Sequence, residues 1–156
     1  MIVSMHVATG AAAGALAGSR LRAALLGLVL HGICDYIPHM DLASRRFEIR
    51  SGLGLLGLLT ATRGPFDPAV VGAAAASAPD LEHVLSLPRP GGKKLFPTHR
   101  FRGWHRTGGV STGVQLIAAG VIVGLLVASE RRWEDVRPRI AAARERFAKQ
   151  WASELH

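Results

Sequence analysis

The side chains of this chain that could do chemistry are histidines and carboxylates gathered in three short runs, with one histidine ahead of them. The first run is His31-Gly-Ile-Cys-Asp35-Tyr-Ile-Pro38-His39-Met-Asp41. His31 and Asp35 are four residues apart, so on a helix both point the same way. Pro38 must stop or bend that helix and turn His39 and Asp41 back over its end. The second run is Pro79-Asp80-Leu81-Glu82-His83, and the third spans Thr98 to Arg106 and holds His99, Arg100, Arg102 and His105. His6 stands alone near the start. Imidazole nitrogens and carboxylate oxygens that converge form a donor set for zinc, with the harder manganese as the alternative. His31, Asp35, Asp80, His99 and His105 are the main candidate ligands, and His6, His39, Asp41 and His83 the secondary ones. Glu82 is a candidate base or a partner that orients a ligand.

The elements that must position these residues are apolar. Of 156 residues, 49% are hydrophobic and 19% charged, below the roughly one quarter charged of soluble domains. Mean hydropathy is +0.23. Five apolar segments are predicted: Ile2 to about Gly18, Leu21 to about Ile37, Ile49 to Thr62, Pro68 to Pro79 with a continuation towards Leu87, and Gly108 to Ser129. The fifth lacks charge and reaches roughly 33 Å as a helix, enough to cross a bilayer core; the first two are near the lower limit and the middle two are shorter. Short helices around polar residues suit a locally thinned or water-filled site. Ala15-Leu16-Ala17 resembles a signal-peptide cleavage site, but no Lys or Arg precedes it.

Gly10, Gly14 and Gly18 recur every fourth residue, as do Gly120 and Gly124, a spacing that lets membrane helices approach closely and offers a surface for a second copy or a protein partner. From Arg137 to Leu155, Ile140, Ala143, Phe147 and Trp151 share a face among Arg139, Arg144, Arg146 and Lys149, which reads as a basic amphipathic helix on a membrane or partner. The predicted fold is therefore all-α: a multi-pass transmembrane bundle of about five helices over residues 1–129, then a basic amphipathic tail over 130–156. The net charge of +8 lies in loops and tail and is assigned to lipid contact, with no nucleic acid expected. The single cysteine, Cys34, excludes an internal disulfide. His156 is set aside.

If all five segments cross, His6, the His31–Asp41 run, Asp80, His83, His99 and His105 all fall at one membrane face. The other face receives Arg20, Arg22, Arg63, Asp67 and the tail. Arg20 and Arg22 after a first helix with no preceding Lys or Arg orient the metal face away from the cytoplasm.

These runs resemble the bacterial and archaeal membrane-bound metal-dependent hydrolases, also described as inner-membrane-associated hydrolases. The shared parts are His6 with Gly10 and Gly14, the run Pro79 to His83, the pair His99-Arg100 with the later His105, and the run His31 to Asp41. More distantly they resemble zinc-dependent phospholipase C and P1-type nucleases. Two features depart from the family pattern: Phe101 to Trp104 lengthen the stretch after His99-Arg100, with Arg106 in place of a serine, and Glu82 stands where aspartate is common. The resemblance implies a prokaryotic inner-membrane protein that hydrolyses a phosphoester, lipid or lipid-linked, with one divalent ion or more. Arg100 and Arg102, with Lys93 and Lys94, would grip phosphate. A non-catalytic metal-stabilised scaffold and a metal transporter are the rival classes; the transporter should spread its ligands along a path through the bilayer.

Overall fold

A computed structural model describes residues 1–85, 87–101 and 103–154, without the side chains of 90, 131–137, 139–140 and 147–154. It is all-helical. The helices are α1 Val3–Leu16, α2 Arg20–Tyr36, α3 Arg45–Arg63, α4 Pro68–Ser77, α5 Pro97–Arg100 and α6 Thr112–Glu154. Local chemistry explains the boundaries. Ser19 caps α2 by accepting from the Arg22 N–H, Ser44 does the same for α3, and Asp67 caps α4 with Pro68 in its first turn. Pro79 turns the end of α4 into a 3-10 segment, Ala78–His83, which carries Asp80 and Glu82.

Helix α1 is the centre of the bundle and packs against α2, α3, α4 and α6. The contact with α4 is backbone to backbone: a Cβ on Gly10 would overlap the Gly72 carbonyl, one on Gly72 would overlap Gly10, and one on Gly14 would overlap Pro68. The core is built mainly from small residues, Ala8, Ala11, Ala69, Ala73 and Ala119 with Val7, Val70 and Val123. Gly18 is not part of this stripe. It sits at φ +70° just past the end of α1 with no neighbour in reach, and so works as a chain reversal. Gly120 and Gly124 are exposed and meet nothing among the described residues.

Helices α2 and α6 turn apolar side chains outward as well as inward. On α2 the buried face is Ala23, Gly27, His31 and Asp35, while Leu25, Leu28, Val29 and Ile33 point outward. On α6, Val114, Ile117, Val121 and Leu125 form an exposed apolar stripe. Among the described residues, one stretch, Thr112–Glu130, is long and apolar enough to cross a membrane, at mean hydropathy 2.0. Only 17% of it is buried, unlike the core helix of a soluble protein. The other expected apolar segments are shorter or less apolar than this: α1 and α4 have 14 and 10 residues, about 21 and 15 Å at 1.5 Å per residue. The boundary expected at Ser129 falls inside α6, which continues through Pro138 to Glu154 without a break. Of the expected amphipathic face, Ile140, Phe147 and Trp151 lie outside the described side chains, and His156 lies outside the described residues.

The two ends of the bundle differ. At one, Arg63 joins α3, α4 and α6 through Asp67 (3.1 Å), Glu130 (3.0 Å) and the Leu126 carbonyl (3.2 Å). The histidines gather at the other.

Candidate metal centre

Spacing on α2 delivers the first two candidate ligands. The stripe Ala23–Gly27–His31–Asp35 is one helix face turned into the bundle, and its last two members are 1% exposed. Helix α1 brings His6, fully buried and stacked on the His31 ring at 4.3 Å between centroids. The 3-10 segment after α4 brings Asp80, and α5 brings His99. Trp104 fastens the loop after α5 onto α2 by donating from Nε1 to the Gly32 carbonyl at 2.9 Å.

Two imidazoles are held from behind. His31 donates from Nδ1 to the Ala76 carbonyl at 2.8 Å, and His99 donates from Nδ1 to Glu82 Oε1 at 2.5 Å. Neither acceptor can donate, so each ring must carry its proton on Nδ1, which leaves Nε2 available in the neutral form. Those two Nε2 atoms face each other at 3.3 Å. Asp35 Oδ2 lies 3.2 Å from His31 Nε2 and 3.6 Å from His99 Nε2, and Asp80 Oδ1 lies 3.7 Å from His99 Nε2. Around a four-coordinate zinc with bonds of about 2.0–2.1 Å, donor atoms are separated by roughly 3.3 Å. The observed edges approximate that polyhedron. Two neutral rings arranged this way would set lone pair against lone pair, a repulsion that an additional proton or a metal ion relieves.

Unsatisfied atoms favour the metal. Asp35 Oδ2 and Asp80 Oδ2 are buried without a hydrogen-bond partner, a costly arrangement that a coordinated cation relieves. Asp35 Oδ1, by contrast, accepts from the Met1 amino group at 2.6 Å and lies 3.1 Å from His6 Nε2. Burial pushes the Asp80 carboxyl up to about 6, and a cation beside it would draw it back down. Burial also works against a charged His99, but the adjacent carboxylates of Asp35 and Glu82 outweigh it and hold its pKa above the ordinary histidine value. Burial opposes ionisation of Glu82 as well, yet the bonds from His99 and the Leu95 N–H keep its carboxyl below the usual range.

A second group lies beside the first. His39 is fully buried and donates from Nδ1 to the Ile37 carbonyl at 2.6 Å. Its Nε2 is 3.2 Å from His105 Nε2 and 3.3 Å from Asp41 Oδ1. The chain is fixed here by backbone pairing: His39 N–H to Arg106 O, Gly108 N–H to His39 O, and Val110 N–H to Pro38 O. Gly109, at φ +78°, allows this approach, since a Cβ there would overlap the Pro38 carbonyl.

All nine histidines and aspartates expected as ligands are thus placed at one end of the bundle. His83 is at its margin, exposed, packed on the His99 ring at 4.3 Å, and near Lys94 Nζ at 3.3 Å. Its burial on one side, with His99 and Lys94 adjacent, pushes its pKa down to about 4. Both carboxylate oxygens of Glu82 are engaged, by His99 Nδ1 and by the Leu95 N–H at 2.8 Å, a geometry that suits a residue orienting His99. Arg100 is exposed and spends its Nε on the Lys94 carbonyl, and Arg102 lies outside the described residues. Lys93 is exposed.

A cavity of about 530 Å³ touches both groups, and Asp80, His99, Asp41 and His105 all line it. Its cations are Lys94 and Arg45, and Leu42, Val84 and Phe101 supply apolar surface. Arg45 also donates to the His83 carbonyl. Its role escapes a sequence reading because it stands in a run of ordinary interfacial charge. Gln115 escapes for the opposite reason, as one polar residue in an apolar segment. It is 1% exposed, donates to the Met40 and Val110 carbonyls at 2.9 and 3.1 Å, and so ties α6 to the His39 chain.

No protein-family model, curated protein or solved structure matches the chain.

Proposed function

We propose that this chain is an integral membrane protein that hydrolyses a phosphoester at the bilayer surface, using a divalent ion held by His31, Asp35, Asp80 and His99, with His6 alongside. The observation that carries this reading is the cavity that places Asp80 and His99 in the same space as Arg45 and Lys94. Ligand-type donors alone would suit a structural ion. Donors that open onto a cleft with two cations suit an anionic substrate.

Zinc, or manganese in its place, would act as a Lewis acid on the phosphoryl oxygens and lower the pKa of a water. The protein's own contribution is placement. Ala76 and Glu82 fix the tautomers and planes of His31 and His99, Arg45 and Lys94 supply charge to hold a phosphate, and Leu42, Val84 and Phe101 offer a wall for an acyl or isoprenoid chain. The outward apolar faces of α2 and α6 support lipid contact and a site reached from the membrane. The resemblance to membrane-bound metal-dependent hydrolases supports the same chemistry through its motifs. A transporter fits less well, because the end opposite the histidines carries an ion-pair network of Arg63, Asp67 and Glu130 instead of continuing a path of ligand-type residues.

The test is hydrolysis by detergent-purified, zinc- or manganese-loaded protein on a panel of phospholipids and lipid-linked phosphates. Phosphate or headgroup release that disappears in His31→Ala/Asp80→Ala is expected. A metal-loaded protein inert on the whole panel would leave the non-catalytic scaffold as the better reading.

A further inference from the structure

We propose that His39, Asp41 and His105 hold a second divalent transition-metal ion, with Asp35 standing between it and the ion at His31 and His99. This rests on the metal-centred reading of the first group and deepens it from one ion to two. The three donor atoms, His39 Nε2, His105 Nε2 and Asp41 Oδ1, are separated by 3.2, 3.3 and 3.9 Å. Two of those edges equal the roughly 3.3 Å expected along a zinc coordination tetrahedron, and the third, from His105 to the half-exposed Asp41, is longer.

The set is also built in advance. The Ile37 carbonyl takes the Nδ1 proton of His39, which turns Nε2 to the other two donors, as in histidines that bind metal. Backbone pairing of 38–40 with 106–110 fixes His105 relative to His39, and Gln115 fastens the same pair of segments to α6. A surface pair of histidines would not need an 0%-exposed ring with its rear nitrogen bonded and its front nitrogen facing a carboxylate.

Asp35 connects the two positions. One of its carboxylate oxygens lies within 4.8 Å of donor atoms of His39 and His105, and it also groups with His31 and His99. A buried carboxylate between two cations is compensated from both sides, which suits a residue 1% exposed that keeps Oδ2 without a hydrogen bond. The cavity lining fits as well, since Asp41 and His105 line it together with Asp80 and His99.

Zinc stoichiometry tests this without reference to catalysis. Protein in detergent is loaded with zinc alone, desalted, and measured by elemental mass spectrometry. Two ions per chain are expected in the wild type and one in Asp41→Ala/His105→Ala. Asp41 is 50% and His105 37% exposed at the side chain, so their removal should not disturb the fold, which helix content would verify. One ion in both proteins overturns the second site and leaves the proposed function intact. Two ions in both overturns this ligand set. Loss of every ion from a variant with native helix content means one indivisible centre, which also overturns a separate second site. No ion in the wild type overturns both readings.

Discussion

His31 and His99 present Nε2 atoms to each other across 3.3 Å, each ring fastened from behind by an acceptor that cannot give the proton back. The residues come from α2 and α5, far apart in sequence, and their rear partners from two further positions, the last turns of α4 and the 3-10 segment that follows. The pair is therefore specified by four pieces of chain, and the acceptor behind His99 is the one most easily altered without emptying the centre.

Glu82→Ala should weaken zinc binding by about 10- to 100-fold, the usual effect of removing a carboxylate that orients a metal-binding histidine. Glu82→Gln should lose less, because the amide oxygen can still accept from His99 Nδ1. Competition with a chromophoric chelator measures both. Equal affinity in Glu82→Ala and wild type would mean that His99 is not a ligand.

The cavity makes a separate prediction about substrate. Arg45→Ala should raise KM for an anionic phosphoester by roughly tenfold with a smaller change in kcat, the pattern for a contact made equally to substrate and transition state. Arg100→Ala should leave KM nearly unchanged, since Arg100 points its Nε at the Lys94 carbonyl and does not line the cavity. The reverse order of effects would move phosphate recognition back to the loop after His99.

Much of the site was legible because run lengths carry direction. Alternating apolar stretches return the chain to one end on every second pass, so His6, Asp35, Asp80 and His99 could be placed together from their positions alone. Arg45 against Arg100 could not be read this way, because both lie at the correct end and only packing decides which faces the cleft. Gly10 and Gly14 were legible as a packing stripe, but Gly18 shares their spacing while serving as a chain reversal, and periodicity cannot separate the two uses. The end of the membrane-like part of α6 shows the same limit. Composition changes at Glu130, yet nothing in the residues that follow is strong enough to stop a helix, and Pro138 is carried within it.

Gly72→Leu should lower thermal stability in detergent far more than Gly124→Leu. A side chain at Gly72 meets the backbone of α1 and must push two helices apart, with a penalty of about 1–3 kcal/mol or more for overpacking. At Gly124 the added side chain points into open space. Unfolding followed by circular dichroism or a thiol-free dye assay would compare them. Equal losses would mean that Gly124 also meets a partner, such as a second copy, in the detergent-solubilised protein.

The membrane reading stands or falls on sidedness. In a Cys34→Ala background, Ser44→Cys and Lys93→Cys should react with an impermeant thiol reagent from one side of the membrane, and Ser19→Cys and Phe66→Cys from the other. All four positions are exposed, so access is not limited by packing. Ser44 and Lys93 flank the histidine end, whereas Ser19 and Phe66 flank the end where Arg20 reaches the Phe66 carbonyl. Helix α4 is the critical element, since ten residues cover about 15 Å of a core roughly 30 Å thick. It can join the two ends only if water or thinned lipid reaches in at the histidine end, which is where the cavity lies. Labelling of all four positions from a single side would mean that α1 to α4 rest on the membrane beside one crossing by α6. The histidine end would then face water directly, and a soluble phosphoester would replace a lipid as the expected substrate.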